Sequence, residues 1–136
     1  MTIHKYILIV FLFSVLWTGC DKKDLPDDLW GTEWKLEGLV RANGSWEPNE
    51  TGKEIRIEFL DSAGLDIQLP VNTCGADVME VTEKQIKLGP ASCTEVCCDP
   101  PYAQDFLGIL SQVRSYYIKD KKLYLQGPQG SAILVK

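Results

Sequence analysis

Five cysteines are the chain's most concentrated chemical resource, and three of them fall in "ASCTEVCCDPP", residues 91–101. Cys93, Cys97 and Cys98, with Cys74 upstream, could bind a metal, supply a nucleophile or build disulfides. Four thiolates can hold zinc, but the C-x₃-C-C spacing is not the paired C-x₂-C of structural zinc ribbons, and adjacent cysteines rarely both ligate one ion. A reactive thiol normally has a basic neighbour or a C-x-x-C partner. Neither is offered here, because the only histidine is His4, in the apolar opening segment. Disulfides remain. Four cysteines allow three pairings, of which a Cys97–Cys98 bridge between neighbours is the strained one.

The other groups that could do chemistry read as surface or core. Glu54, Glu58, Asp66 and Glu80 could in principle form a glycosidase-like acid pair, but most lie on the polar side of period-two segments, where a carboxylate is simply solvated. Trp30, Trp34 and Trp46 could stack on a sugar or a peptide. Trp34 is in phase with Leu36 and Val40 and reads as core, which leaves Trp46, in a polar loop, and Trp30 as candidate ligand contacts. No catalytic residue, metal site or cofactor is expected, and the protein reads as a non-enzyme.

The compartment is set by the first residues. "MTIHKYILIVFLFSVLWTGC" has a short polar start, an apolar run from Tyr6 to Trp17 and a small-residue end, the three parts of an export signal. The run is well short of the roughly 20 residues that span a bilayer. Leu16-Trp17-Thr18-Gly19-Cys20 resembles a bacterial lipobox, which implies a signal peptide over 1–19 and acylation of Cys20. Two or more acyl chains give stable anchoring. Residues 20–28, charged and with Pro26, read as a solvated tether, and 29–136 as a single domain. An exported, oxidised setting also favours disulfides over free thiols or zinc.

Charge narrows the partners. Of 14 basic and 19 acidic residues, only Lys5 lies in the leader, so the remainder carries 13 against 19, a net charge of −6. No basic stripe is present to neutralise phosphates, and nucleic acid is excluded as a partner. Anionic headgroups are equally poor partners for this overall charge, which leaves the lipid anchor as the membrane attachment.

The elements that must position these residues are mostly strands. Trp34, Leu36, Gly38 and Val40 alternate with Glu33, Lys35, Glu37 and Leu39 and predict a strand with that face covered. Asn43-Gly44 predicts a type I′ hairpin turn. "EIRIEFL" (54–60) and "LDIQLPV" (65–71) follow, the second with Leu65, Ile67, Leu69 and Val71 inward. "DVMEV" (77–81) and "KQIKL" (84–88) read as two short strands. In "PPYAQDFLGILSQV" the period lengthens: Tyr102, Phe106, Ile109, Leu110 and Val113 form a helical stripe, with Asp99 as N-cap and Pro100 at the first helical position. "RSYYIKD", "KLYLQG" and "SAILVK" close the chain as strands. The fold class is α+β, a mostly antiparallel curved sheet of about 7–8 strands with one helix near 100–113.

In this order the segments resemble the META-domain (HslJ-like) family of bacterial envelope proteins. "LWGTEWKLEGL" (29–39) is similar to that family's first strand with its Gly-Thr-x-Trp pattern, and "IRIEF" to its second apolar strand. "NTCGADV" (72–78) is similar to its Cys-Asn turn, with the two residues in reversed order. "TEVC" (94–97) matches its Thr-x-x-Cys element, and 105–136 its helix-and-strands ending. The resemblance implies a curved antiparallel sheet with one packed helix and no established catalytic residues. It also points to a Cys74–Cys97 disulfide joining the turn at Asn72–Gly75 to the segment before the helix, leaving Cys93–Cys98 as a local loop.

The expected function is therefore a disulfide-stabilised, lipid-anchored envelope protein with a structural or interaction role, on the outer membrane, with an envelope protein or peptide as partner. The alternative is a small-ligand or peptide-binding module that uses an aromatic-lined sheet face.

Overall fold

The computed structural model describes residues 27–136; the leader, Cys20 and most of the tether lie outside the described residues. Ten strands and one helix follow in order: β1 (Glu33–Arg41), β2 (Trp46–Pro48), β3 (Arg56–Leu60), β4 (Gly64–Gln68), β5 (Thr73–Val81), β6 (Ile86–Leu88), β7 (Ser92–Cys93), α1 (Pro101–Leu110), β8 (Ser115–Lys119), β9 (Lys122–Gly127) and β10 (Gly130–Val135). Every strand pairing is antiparallel, in the order β6-β5-β4-β3-β1-β10-β9-β8, with β2 added to β1 and β7 to β5. The two end strands meet again through a Gln85–Ser115 bridge, so the sheet nearly closes into a barrel. The expected α+β class holds. The two strands beyond the expected number are β2 and β7, of three and two residues.

Alternation decides what fills the inside. Ile57 and Phe59 on β3, Leu65 and Ile67 on β4, Leu123 and Leu125 on β9, and Ala132 and Leu134 on β10 are all buried, and their neighbours in sequence face out. β1 starts in the expected phase, with Trp34 and Leu36 buried, but its register with β10 shifts between Leu36 and Gly38. The extra residue of a bulge reverses the alternation: Leu39 turns inward, fully buried, and Val40 is left half-buried. Gly38 then lies under the Trp46 ring, where a Cβ would overlap the indole.

The β1–β2 hairpin also departs from expectation. Only Gly44 has a positive φ, 85°, and the Gly44 amide donates to the Arg41 carbonyl at 2.8 Å. This is a type I turn ended by a left-handed glycine, not a type I′ turn. Val71 lies outside the core, since the chain turns before it: the Leu69 amide donates to the Asn72 carbonyl at 2.8 Å. "DVMEV" is the second half of one nine-residue strand, β5, which also takes in Thr73–Gly75 of the expected Asn72–Gly75 turn.

α1 is shorter than its stripe. Pro100 occupies the N-cap with no side-chain cap, and Pro101 opens the helix. Ala103, Phe106, Ile109 and Leu110 are buried against β9 and β10, and Val113 is buried beyond the last turn. Arg41 ties this layer to the sheet, pairing with Glu47 of β2 and with Asp105 of α1, the latter at 2.9 Å.

Candidate functional site

The cysteine segment takes its shape from a hydrogen-bond centre at Asn72, the one buried polar side chain among the described residues. Its side-chain Nδ2 donates to the Val96 carbonyl at 2.7 Å and to the Asp99 carboxylate at 2.6 Å. Its Oδ1 accepts from the Thr94 hydroxyl at 2.8 Å and the Val96 amide at 2.9 Å. An amide offers two donors and an acceptor with two lone pairs, so its capacity is fully used. The Asp99 carboxylate also accepts from the Val71 and Asn72 amides, at 2.7 Å and 3.2 Å. Asp99 thus holds the turn before β5 rather than capping α1 (a correction to the expected N-cap). Its carboxylate is committed to donors across the chain and is not available to the helix start.

This arrangement settles which residues face which. β7 pairs with β5 so that Cys93 lies directly opposite Cys74, and the two are joined with Cα atoms 4.0 Å apart. The expected Cys74–Cys97 pair and its companion Cys93–Cys98 are therefore not formed. Thr94 to Val96 wrap around the Asn72 amide and carry Cys97 away from β5, into the solvent beside Cys98, to which it is bridged. The closed loop of the Cys74–Cys93 bridge, 19 residues apart in sequence, contributes on the order of 3 kcal/mol by restricting the unfolded chain. Its sulfur on the β5 side is in the core, as Cys74 is nearly fully buried.

A second feature lies on the outer surface. Tyr117 of β8 and Tyr124 of β9 are directly opposed, and their rings stack at 4.4 Å between centroids, 8° from parallel. Ile133 of β10 is the next residue in the same cross-strand row, and Gly38 of β1 the one after it. The Trp46 ring covers that glycine and is about half exposed (48 %). Tyr117 is 41 % exposed. An aromatic and aliphatic row thus crosses four strands on the convex side of the sheet, because the concave side is filled by the core. Trp30 does not join it: its ring packs edge-on to Phe59 at 6.2 Å, half-buried against the core. The tyrosine pair was legible as a pattern, since Tyr117 and Tyr124 have opposite parity to Tyr116, Leu123 and Leu125.

Glu54, Glu58, Asp66 and Glu80 do not converge on one cleft. Glu58 and Asp66 oppose each other across β3 and β4 on the outer face, Glu54 pairs with Lys35 at 3.4 Å, and Glu80 lies on a different strand, β5. Among the described residues, no group of three or more His, Cys, Asp or Glu could hold a metal ion. No described helix is long and apolar enough to cross a membrane.

A disulfide-braced antiparallel near-barrel with one packed helix defines the class of protein. The chain belongs to the META-domain family, whose sequence model, described as the META domain, matches residues 27–136. In fold it is similar to a solved protein from Burkholderia xenovorans, determined by NMR, with a TM-score of 0.62 at 17 % identity over 78 % of this chain and 81 % of that one. The curated proteins contain no match.

Proposed function

We propose that this protein is a lipid-anchored module of the bacterial cell envelope, held to the outer membrane through acylated Cys20 and serving a structural or interaction role. The observation that carries this reading is the position of the domain relative to the lipobox-like segment. Leu29 is fully buried, and the META match begins at residue 27, so about seven residues separate the domain from Cys20. At no more than ~3.5 Å per residue, such a tether keeps the domain within about 25 Å of the attachment point. A short tether suits a module that works at the membrane surface. Metabolic labelling with an alkyne-bearing fatty acid, followed by intact mass, tests it. The expected result is a chain that begins at Cys20, carries acyl chains and loses the label in Cys20→Ala. Recovery of an unlabelled chain that retains residues before Cys20 overturns it.

A second reading, binding of a small ligand or peptide on an aromatic sheet face, is favoured by the Tyr117–Tyr124 stack and its continuation toward Trp46. Flat aromatic groups on a rigid sheet suit a sugar ring or an extended peptide, because apolar faces stack on them at little entropic cost. Soluble peptidoglycan fragments added to the protein are expected to quench or shift Trp46 emission, less so in Tyr117→Ala. Unchanged emission with both glycan and peptide fragments removes this reading.

A further inference from the structure

The seam that closes the barrel is incomplete. β6 meets β8 through the Gln85–Ser115 bridge, the Ile86 amide donating to the Arg114 carbonyl at 3.1 Å and the Tyr116 amide donating to the Lys84 carbonyl at 3.0 Å. One step further the ladder stops. The Gln112 and Val113 amides turn back to the Ile109 and Leu110 carbonyls, and the Arg114 amide goes to the Gln126 carbonyl of β9. Between β6 and this helix exit lies a cleft of about 460 Å³, lined by Glu80, Ile86, Lys87, Leu88, Gln112 and Arg114 among others. That volume is in the range of small-ligand sites.

The cleft presents an unpaired strand edge. In a strand, backbone groups of successive residues point alternately to opposite neighbours. The Gln85 carbonyl accepts from Thr82, and the Gly89 amide donates to the Asp77 carbonyl, both on the β5 side. The Ile86 amide points to the β8 side, and Leu88, two residues on, shares its direction. The Leu88 amide and carbonyl therefore face the cleft, where no strand among the described residues continues the pairing. Open edges of this kind are where an added strand binds.

We propose that this seam accepts an extended segment of a partner protein as an added strand between β6 and residues 111–114, and that the segment alternates apolar and acidic residues. Ile86, Leu88 and Val113 are buried and give the cleft an apolar floor. Lys87 and Arg114 are exposed at its mouth, and neither forms an ion pair among the described residues. Glu80 is the single acid in the lining, so the mouth is basic on a chain that is acidic overall. The proposal rests on the reading of the chain as an interaction module, but on neither the anchor nor the aromatic row. Probe binding at the seam does not depend on acylation of Cys20.

The test uses the full chain in detergent and a fluorescein-labelled probe, Val-Glu-Val-Glu-Val, followed by anisotropy and by amide hydrogen exchange. Binding is expected to slow exchange in 84–89 and 111–115. N-methylation of alternate amides in the probe is expected to weaken binding at least about tenfold, because the ladder cannot form. Lys87→Gln and Arg114→Gln are each expected to weaken it about threefold to tenfold, and a Val-Lys-Val-Lys-Val probe to bind less tightly than the acidic one. Equal affinity for the methylated probe, protection elsewhere on the molecule, or no binding up to about 1 mM overturns the proposal. Protection of the same segments that grows with protein concentration, without probe, identifies a second copy as the occupant and overturns the partner assignment.

Discussion

At the scale of single residues, Asn72 organises more of this surface than any cysteine does. Four side-chain hydrogen bonds converge on it in a setting of 7 % exposure, one of them to the Asp99 carboxylate. Bonds to charged groups are worth more than neutral ones, and a buried partner left unmet costs its full desolvation. Asn72→Ala is therefore expected to lower stability by about 3 kcal/mol in urea unfolding and to open 94–99 to proteolysis. Asn72→Asp is expected to be at least as severe, because it sets a second carboxylate against Asp99. A loss below about 1 kcal/mol in the alanine variant, the size of one ordinary hydrogen bond, would show that water replaces the network and that Asn72 is not the centre. From the sequence alone this residue looked like part of a turn motif. Its role needs Thr94, Val96 and Asp99, more than 20 residues away, which no local pattern brings together.

At the scale of elements, the sequence was most legible where one physical signal dominated. "IRIEF", "KLYLQG" and "SAILVK" alternate cleanly, and their buried residues fall where period two puts them. β1 was half right: the alternation holds through Leu36 and fails at the bulge, because a bulge depends on the partner strand and on the Trp46 ring that Gly38 admits. The disulfides failed for a related reason. Pairing by resemblance favoured Cys97, but two residues, Ser92 and Cys93, add to the edge of β5 and place Cys93 opposite Cys74. A strand of two residues has no periodicity to read. The helix stripe was visible but its ends were not, since Asp99 found stronger partners across the chain than the helix start offered.

At the scale of the molecule, two tyrosine hydroxyls fasten the places where the near-barrel could open. Tyr102 of α1 donates to the Glu47 carbonyl of β2 at 3.0 Å, fastening the helix layer to the sheet. Tyr116 of β8 donates to the Thr82 carbonyl at 2.6 Å, across the seam. Burial, and after it the Glu47 carboxylate, push the Tyr102 hydroxyl up to about 12. Burial, and after it Glu83, raise Tyr116 as well. An unfolded tyrosine titrates near 10, so above that pH the unfolded chain loses protons that the folded chain keeps. Stability then falls with rising pH: the Tyr102 contribution is intact below about 10 and is lost as pH approaches about 12. Lys122, raised by its hydrogen bond to Glu37, adds a slope of the same sign, so the tyrosines are separated by substitution. Tyr102→Phe is expected to lose about 1 kcal/mol at neutral pH and to flatten the decline of unfolding free energy between pH 10 and 12. Tyr116→Phe is expected to flatten it further. If Tyr102→Phe unfolds with the same alkaline slope as the parent chain, the helix layer is not held by that hydroxyl, and the core face of Phe106, Ile109 and Leu110, with the Arg41–Asp105 pair, keeps it on the sheet.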